Sequence, residues 1–262
     1  MDITLLIVML LNVLISLVGT LAYSVRIVGV RTGKIAISFA LFNAVALISR
    51  TANVFQLPLL TKYVEFNAQT INVEIIFIEI IGVVLLATII GAFLIPTFQR
   101  IFTKAVNSFS IEKSIFKLIM HSFSKTGIMH IKSCIKAPEK SSVEKIRRNK
   151  LPLRIFILNT FAVALITAGV FAPIYAITIA SDVRATCVQL SSVVNSIATI
   201  LLAIFIDPYL SVLTDEVMGG KYTEIDFRGC VIGMVGSKVL GTALSVFLLI
   251  PAAYAIAFIA RL

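Results

Sequence analysis

The stretch that decides the fold reads ITLLIVMLLNVLISLVGTLAYSV, from Ile3 to Val25. It is an unbroken apolar run of about 20 residues or more, enough for a helix rising about 1.5 Å per residue to cross a hydrocarbon core about 30 Å thick. Met1 and Asp2 supply no basic segment ahead of the run, which is also longer than the apolar part of a signal peptide. We therefore interpret it as a retained first transmembrane span.

Five further runs of the same kind follow. They are Ile35–Phe55, Val73–Ile95, Leu153–Ala176, Ala185–Ile206 and Val231–Ala260. Hydrophobic residues make up 59% of the chain, charged residues only 14%, and the mean hydropathy is +1.03. A water-soluble fold of 262 residues could not bury so much apolar surface. The sequence therefore predicts an all-α, multi-pass membrane protein with about six transmembrane helices.

Lys and Arg are distributed unequally between the two sides of these spans. Eighteen of the 23 lie in the break after span one, in the insert from Arg100 to Arg154 and in the break after span five. The other breaks and the tail hold only Lys62, Arg184 and Arg261. Because basic residues in short loops stay on the cytoplasmic side, both termini are predicted to face outward.

The insert between spans three and four is basic and amphipathic. We predict spans one to three in residues 1–96, the insert in 97–152 and spans four to six in 153–262. Phenylalanine recurs in the insert every seven residues, at Phe102, Phe109, Phe116 and Phe123. This period keeps one helix face apolar, as in helices that lie among lipid headgroups, and Pro96 is expected to break the preceding helix. Such a helix either anchors the topology or gathers an anionic lipid substrate; nucleic-acid binding is not expected.

Three spans on each side of the insert make an inverted repeat conceivable, because an odd number of spans reverses the second half. Val30-Arg31, Ser38 and Asn43 lead into span two, and Val183-Arg184, Ser191 and Asn195 lead into span five from the opposite side. The match is short, so the 3+3 duplication stays an expectation that a superposition of the halves would test.

Polar residues inside the spans are costly in lipid and therefore informative. Asn43, Arg50 and Asn53 share one face of span two, with Arg50 in the outer half of the membrane. Glu74 and Glu79 begin span three on that side, which predicts an Arg50–Glu79 ion pair. Arg50 would then pack in this pair or extend to the outer headgroups, or it would bind an anionic headgroup.

Spans five and six carry further polar patterns. A polar stripe on span five should face protein or water; it comprises Gln189, Ser192, Asn195, Ser196 and Thr199. Small residues recur every four positions on span six, at Gly229, Gly233, Ser237, Gly241 and Ser245. This ladder favours close helix packing, and a second copy of the chain is one candidate partner. Lys238 adjoins it near mid-membrane and needs a partner or a wet cavity.

No catalytic or metal-binding motif is found in the sequence. Gly29–Lys34 resembles a phosphate loop, but it has one residue too few between its glycines and Ile35 where Ser or Thr is required. Acidic residues from Asp207 to Asp226 could hold a divalent ion or perform acid chemistry, but a solvated loop face explains them better. We therefore predict a non-enzymatic protein without cofactor or metal.

Two groups of segments carry a recognisable family pattern. The first group is TLAYSVRIVGVRTGK at 20–34, ISRTAN at 48–53 and PLL at 58–60. The second is NSIATI at 195–200, FIDPYLS at 205–211, LTD at 213–215 and IPAAY at 250–254. These segments resemble the Amj family, bacterial lipid II flippases that act as alternates to MurJ. The basic insert carries no family motif.

This resemblance implies a function: a multi-pass protein of the bacterial cell membrane that moves the undecaprenyl-pyrophosphate-linked peptidoglycan precursor from the inner to the outer leaflet. Charge and position then suggest the sites. Arg26, Arg31 and Lys34 would receive the pyrophosphate at the cytoplasmic mouth, and Lys238 and Arg50, beside Asn43, would hold it in transit. Glu74, Glu79, Asp182 and Arg184 would serve in gating or ion pairing, with alternating access of the halves as the mechanism.

Two other classes stay open from the sequence. A membrane scaffold that binds partner proteins or anionic lipid predicts intramembrane charges closed into ion pairs and no cavity. A small-solute or ion-coupled carrier predicts a closed pocket at the midplane. A flippase instead predicts a cavity that opens sideways to the bilayer and is lined by Arg50 or Lys238.

Overall fold

The computed structural model describes residues 2–69, 72–112, 134 and 151–262. Six of its helices are long and apolar enough to cross a membrane, which confirms the all-α prediction of a six-span membrane protein. The described residues form no strand. We call the end that carries the first and fifth connections the inner end, because the basic residues predict it to be cytoplasmic.

The first three helices are α1 (Ile3–Thr32), α2 (Ile35–Asn67) and α3 (Val73–Glu112). Gly33, with φ of +66°, ends α1 in the left-handed conformation that glycine adopts without strain. Both α2 and α3 run beyond the predicted spans. Hydropathy marks only where the chain leaves the lipid, and polar residues such as Lys62 can continue a helix into the headgroups.

Pro96 does not break the helix, contrary to the prediction. It lies inside α3, where neighbouring helices allow proline to be tolerated. Beyond it, Phe102 and Val106 are buried in a cluster with Val25, Val28 and Leu41. The beginning of the predicted insert thus packs against the inner ends of α1 and α2 rather than lying among headgroups. Phe116, Phe123 and the basic linker lie outside the described residues.

The second half contains α4 (Leu153–Ile179), a long fifth span and α7. The fifth span consists of α5 (Arg184–Leu201), a π-helical turn at Leu202–Ile206 and α6 (Asp207–Met218). The last helix, α7 (Glu224–Ala260), begins with a capping box in which Thr223 and Asp226 bind each other's backbone. The prediction of an acidic loop from Asp207 to Asp226 is therefore wrong. Helices continue through most of this segment, and only residues 219–223 form the connection.

The two halves are built alike. In the first half, α1 packs against both α2 and α3; in the second, α4 packs against both the fifth span and α7. The helices of the first half have 30, 33 and 40 residues, and those of the second half have 27, 35 and 37. This arrangement is what a 3+3 duplication predicts; the duplication itself stays a prediction.

The small-residue ladder of α7 packs against α4 within the same chain, so its role in helix packing is confirmed. A Cβ on Gly241 would lie 2.5 Å from the carbonyl oxygen of Thr160, and one on Gly233 would lie 2.7 Å from the Leu151 Cβ. Ser237, between them, is fully buried. The ladder is thus occupied by α4 within one chain, and assembly with a second copy stays a prediction.

An apolar core closes the outer half of the molecule and joins the two halves. Phe77 of α3 lies 5.9 Å from Phe171 and 6.1 Å from Tyr175, measured between ring centroids. Residues from α1, α2 and α7 complete this core. The remaining space between the halves therefore lies towards the inner end.

Candidate functional site

A cavity of about 280 Å³ lies between the two halves in the inner part of the membrane. It is lined from α1 by Ala22, Tyr23 and Arg26, from α2 by Phe39, Phe42 and Asn43, from α4 by Asn159, from the fifth span by Leu202, Ile206, Asp207 and Leu210, and from α7 by Val231 and Met234. Asn159 is six residues from the start of its helix, which places the cavity about 10 Å above the inner helix ends.

We infer that the cavity has its opening between α2 and the fifth span. Both elements line it, yet they do not pack against each other along their lengths. Asn43, on the α2 side, is exposed. A lipid could therefore place a polar head in the cavity while its chain stayed among the acyl chains of the bilayer.

Arg26 is the cation in the cavity lining. Its side chain is only 17% exposed, and its Nη2 lies 3.3 Å from Oδ1 of Asp207, whose side chain is 61% exposed. Nη1 donates to Ser211 Oγ over 3.4 Å, and the guanidinium stands 5.1 Å from the centroid of the Phe39 ring. Strong charge-assisted contacts are about 2.7–2.9 Å long. The Arg26–Asp207 pair is therefore loose, and its carboxylate is largely exposed.

The π-helical turn shapes the side of the cavity opposite α2. It places Leu202 and Ile206 in the lining and brings Asp207, the next residue, to Arg26. Pro208 explains why the turn widens here: proline lacks an N–H, and its ring would clash with the carbonyl four residues earlier in a regular helix. Single π-helical turns inside helices frequently occur at functional sites.

The inner end below the cavity is held by shared ion pairs. Arg31 donates to Glu224 Oε1 through Nε at 3.0 Å and Nη2 at 2.8 Å. Arg228 donates to the same oxygen at 3.0 and 2.7 Å. Glu224 thus joins α1 of the first half to α7 of the second. Lys34 lies at the neighbouring turn, where its Nζ donates to Asn107 Oδ1 over 3.3 Å.

Lys238 lies behind the cavity wall. Its Nζ is 5.9 Å from the centroid of the Tyr23 ring and 3.0 Å from the position of a Cβ on Gly19. Within the described ranges it pairs with no carboxylate. Gly19 leaves the room that this ammonium group occupies between α1 and α7. The predicted mid-membrane cation is therefore next to the cavity, separated from it by Tyr23.

Asn159 is a cavity residue that the sequence analysis missed. It is fully buried, and its Nδ2 donates to Ser237 Oγ over 2.6 Å and to the Met234 carbonyl over 3.4 Å. Its Oδ1 is buried and accepts no hydrogen bond. An asparagine within the apolar span four was the signal that could have indicated it. Tyr23 and Asp207 were also missed as members of the site.

The predicted Arg50–Glu79 pair does not form. Both side chains are exposed, and no ion pair joins them in the part of the chain that the structure describes. Asn43 lines the cavity, while Arg50 lies two turns, about 10 Å, further outward on the same helix face and is not part of the lining. Glu74, at the start of α3, is partly exposed.

Asp182 and Arg184, predicted to serve in gating or ion pairing at the outer end, do not pair with each other. Asp182 pairs with Arg261 at 3.0 Å, and the Arg261 guanidinium holds the pKa of this carboxyl below its usual value. Arg184 instead donates to the carbonyl of Ser181 over 3.2 Å. The pair at this end therefore joins the turn after α4 to the end of α7, both in the second half.

Comparison with known proteins places this arrangement in a family. The family model described as "Alternate to MurJ" (Amj) matches residues 11–260. The "Lipid II flippase Amj" of Bacillus subtilis (strain 168) is 34% identical over 252 residues, which cover 95% of this chain and 93% of that protein. No solved structure matches. The chain belongs to the Amj family and is a multi-pass protein of the bacterial cell membrane.

Proposed function

We propose that this protein moves lipid II, the undecaprenyl-pyrophosphate-linked peptidoglycan precursor, from the inner to the outer leaflet. The relative that matches nearly the whole chain carries this function in its name. The observation in the structure that supports it best is the cavity in the inner half, which contains Arg26 and lies where α2 and the fifth span do not pack against each other. Moving a lipid between leaflets breaks no covalent bond, so the proposal assigns no catalytic residue.

The first step is an exchange of anions at Arg26. The pyrophosphate enters between α2 and the fifth span, while the prenyl chain stays in the bilayer. An exposed ion pair contributes about 0–1 kcal/mol, and Asp207 is largely exposed. A pyrophosphate carries more negative charge than one carboxylate and offers several acceptor oxygens, so it displaces Asp207 from Arg26. Arg31 and Lys34, at the mouth below, attract the phosphates electrostatically.

Transit then depends on cations at greater depth. Lys238 lies behind Tyr23. A shift of the Tyr23 ring exposes the Lys238 ammonium group to the phosphates. Arg50, on the same α2 face as Asn43 and about 10 Å further outward, would receive the headgroup last. Release to the outer leaflet requires the two halves to separate at the Phe77–Phe171 contact while the inner ends close. This is alternating access by rocking of one half against the other.

The other two functional classes fit these observations less well. A scaffold predicts intramembrane charges closed into ion pairs and no cavity. Arg26 does pair with Asp207, but both residues line a cavity. A small-solute carrier predicts an enclosed midplane pocket, whereas this cavity lies nearer the inner end and opens between α2 and the fifth span.

The proposal is tested by transport in proteoliposomes. Purified protein is reconstituted with fluorescent lipid II, and the lipid that reaches the other leaflet is measured by a quencher that cannot cross the membrane. Arg26→Gln should slow transfer at least about tenfold, because each 1.4 kcal/mol of lost binding free energy is a factor of ten. Lys62→Gln, which removes an exposed cation at the outer end of α2, is the matched control. Equal rates for Arg26→Gln and wild type, or no transfer by wild type, would contradict the proposal.

A further inference from the structure

The fifth span carries three exposed hydroxyl side chains at membrane depth, outward of the cavity. Thr199, Ser196 and Ser192 recur at steps of three and four residues, so they share one side of α5. Each hydroxyl donates to a carbonyl of its own helix over 2.7 Å. A hydroxyl oxygen that donates its one hydrogen can still accept hydrogen bonds. This surface, which we call the hydroxyl face, can therefore bind water or another donor.

The π-helical turn aligns the hydroxyl face with the cavity. Thr199 precedes Asp207 by eight residues. An α-helical turn takes about 3.6 residues and the wider π-helical turn about one more, so these residues make two turns. Thr199 therefore lies on the same side of the span as Asp207, which lines the cavity, and about 10 Å further outward. In an uninterrupted α-helix the two residues would differ by about 80° around the axis.

The α2 helix presents a matching polar side. Asn43 lines the cavity, and Arg50 lies on the same side of α2, about 10 Å further outward. Thr199 and Arg50 thus stand at similar depth on the two elements that border the cavity. The α4 helix packs against both of these elements, while the two do not pack against each other. A furrow floored by α4 therefore runs outward from the cavity with polar residues on both walls, and we call it the polar furrow.

A polar furrow in the bilayer destabilises the protein unless water or a polar ligand fills it. Arg50 is exposed, and it forms no ion pair with any residue that the structure describes. Charged side chains at membrane depth almost always face a water-filled cavity or a binding partner. The side of α5 that adjoins the hydroxyl face is instead apolar and exposed, at Val193, Ile197 and Ile200. The span thus offers one side to lipid and another to water.

We propose that the hydroxyl face forms the wall opposite Arg50 along which the head of lipid II moves outward. The inference rests on the proposed function and assigns further residues to its transit step. Arg50 binds the pyrophosphate, and the hydroxyl oxygens accept hydrogen bonds from the sugar-peptide head or from the water around it. Where a phosphate oxygen reaches a hydroxyl, the hydroxyl turns to donate to it, because hydrogen bonds to ionised acceptors are the stronger ones. The prenyl chain stays in the bilayer.

Water in the furrow is measured by cysteine labelling in a background without native cysteines. Thr199→Cys and Ile200→Cys are neighbours at one depth on different sides of the span. In proteoliposomes, a water-soluble maleimide should label Thr199→Cys several times faster, because the reactive thiolate forms in water and not in lipid. Added lipid II should slow this labelling, whereas the same amount of phosphatidylglycerol, an anionic lipid without the sugar-peptide head, should not.

Two labelling results overturn the proposal. Equal labelling of the two cysteines would mean that the hydroxyl face lies in lipid. Fast labelling of Thr199→Cys that lipid II leaves unchanged would mean that the furrow holds water but that the head does not pass through it.

Lipid transfer is compared between two threonines at similar depth. Thr199 and Thr51 are both exposed, and both donate to the carbonyl four residues earlier, over 2.7 and 2.9 Å. Thr51 directly follows Arg50 and so lies about 100° around α2 from it. Thr199→Val should slow lipid II transfer about fivefold, the worth of one hydrogen bond, whereas Thr51→Val should keep the wild-type rate. Equal rates for the two variants would contradict the proposal.

The proposal and the function on which it rests can fail separately. A wild-type protein that moves no lipid II contradicts the proposed function. Slow transfer by Arg26→Gln together with normal transfer by Thr199→Val keeps that function and places the route elsewhere. Crosslinking of Thr199→Cys to a second copy of the chain, without labelling by the maleimide, would make the hydroxyl face an interface between copies and overturn the proposal.

Discussion

The packing of α4 against α7 supports the cavity, and one glycine tests it. In Gly241→Ala, the added Cβ would lie 2.5 Å from the Thr160 carbonyl oxygen and 2.9 Å from the Val163 Cβ. Neither atom is the end of a flexible chain, so the two helices must separate by several tenths of an ångström. Overpacking of this kind costs about 1–3 kcal/mol.

Gly236→Ala is the matched control in the same helix. Its Cβ would meet only the Phe156 ring, 3.9 Å away, which is an ordinary contact. Both variants gain about 0.5–1 kcal/mol of helix propensity, so this gain cancels in their difference. We therefore expect Gly241→Ala to be about 1–3 kcal/mol less stable than Gly236→Ala.

The measurement is the free energy of unfolding in mixed micelles, obtained by titration with a denaturing detergent and followed by helical circular dichroism. Asn159 directly precedes Thr160, and Ser237 lies about one turn before Gly241, so Gly241→Ala should also slow lipid transfer. Equal stability of the two variants would refute the close approach of α4 and α7 on which the position of Asn159 depends.

Three further predictions follow from other contacts. Phe77→Ala should lower the free energy of unfolding by about 3–5 kcal/mol because this ring is fully buried between the halves, whereas Phe247→Ala, which removes an exposed ring, should change it little; similar losses for both would contradict the outer core. Glu224→Gln should release Arg31 and Arg228 and so loosen the inner end. The measurement is the rate at which Ala22→Cys, in a background without native cysteines, reacts with a water-soluble maleimide, and this rate should rise several times. An unchanged rate would show that the Glu224 carboxylate does not restrain the inner end. Asp182 has a lowered pKa because Arg261 binds its ionised form. The pair therefore stabilises the end of α7 at pH values above the unfolded pKa of about 3.9, and this stabilisation is lost as the pH falls through the lower folded pKa. Amide hydrogen exchange near Ala260 should rise in that acid range in wild type but not in Asp182→Asn.

The sequence predicted the spans well because lipid imposes a length and a composition on them. It predicted helix ends poorly: Lys62 in α2 and Asp215 in α6 are polar, but polar residues do not stop a helix that leaves the bilayer. The sequence predicts a break at Pro96 because proline disrupts isolated helices, whereas packing against α1 and α2 sustains α3 through this residue.

The candidate site could be predicted only in part. Arg26 was found from its charge and position, yet its pairing with Asp207 joins residues 181 positions apart and depends on how the halves pack. Lys238 was correctly expected to need a special environment, but nothing in the chain order indicates that Gly19 and Tyr23 provide it. Asn159 had a readable signal, a lone amide in an apolar span, whose meaning depended on seeing Ser237 opposite.

The central claim is that the lipid headgroup binds in the inner cavity with its chain in the bilayer. The most direct measurement is photocrosslinking to radiolabelled lipid II, with a benzophenone amino acid placed either at Ala22 in the cavity or at Phe247 on the exposed surface. We predict a crosslink at position 22 that unlabelled lipid II and Arg26→Gln both suppress, with only weak, unsuppressed labelling at position 247. Equal labelling at the two positions, insensitive to Arg26→Gln, would contradict the account.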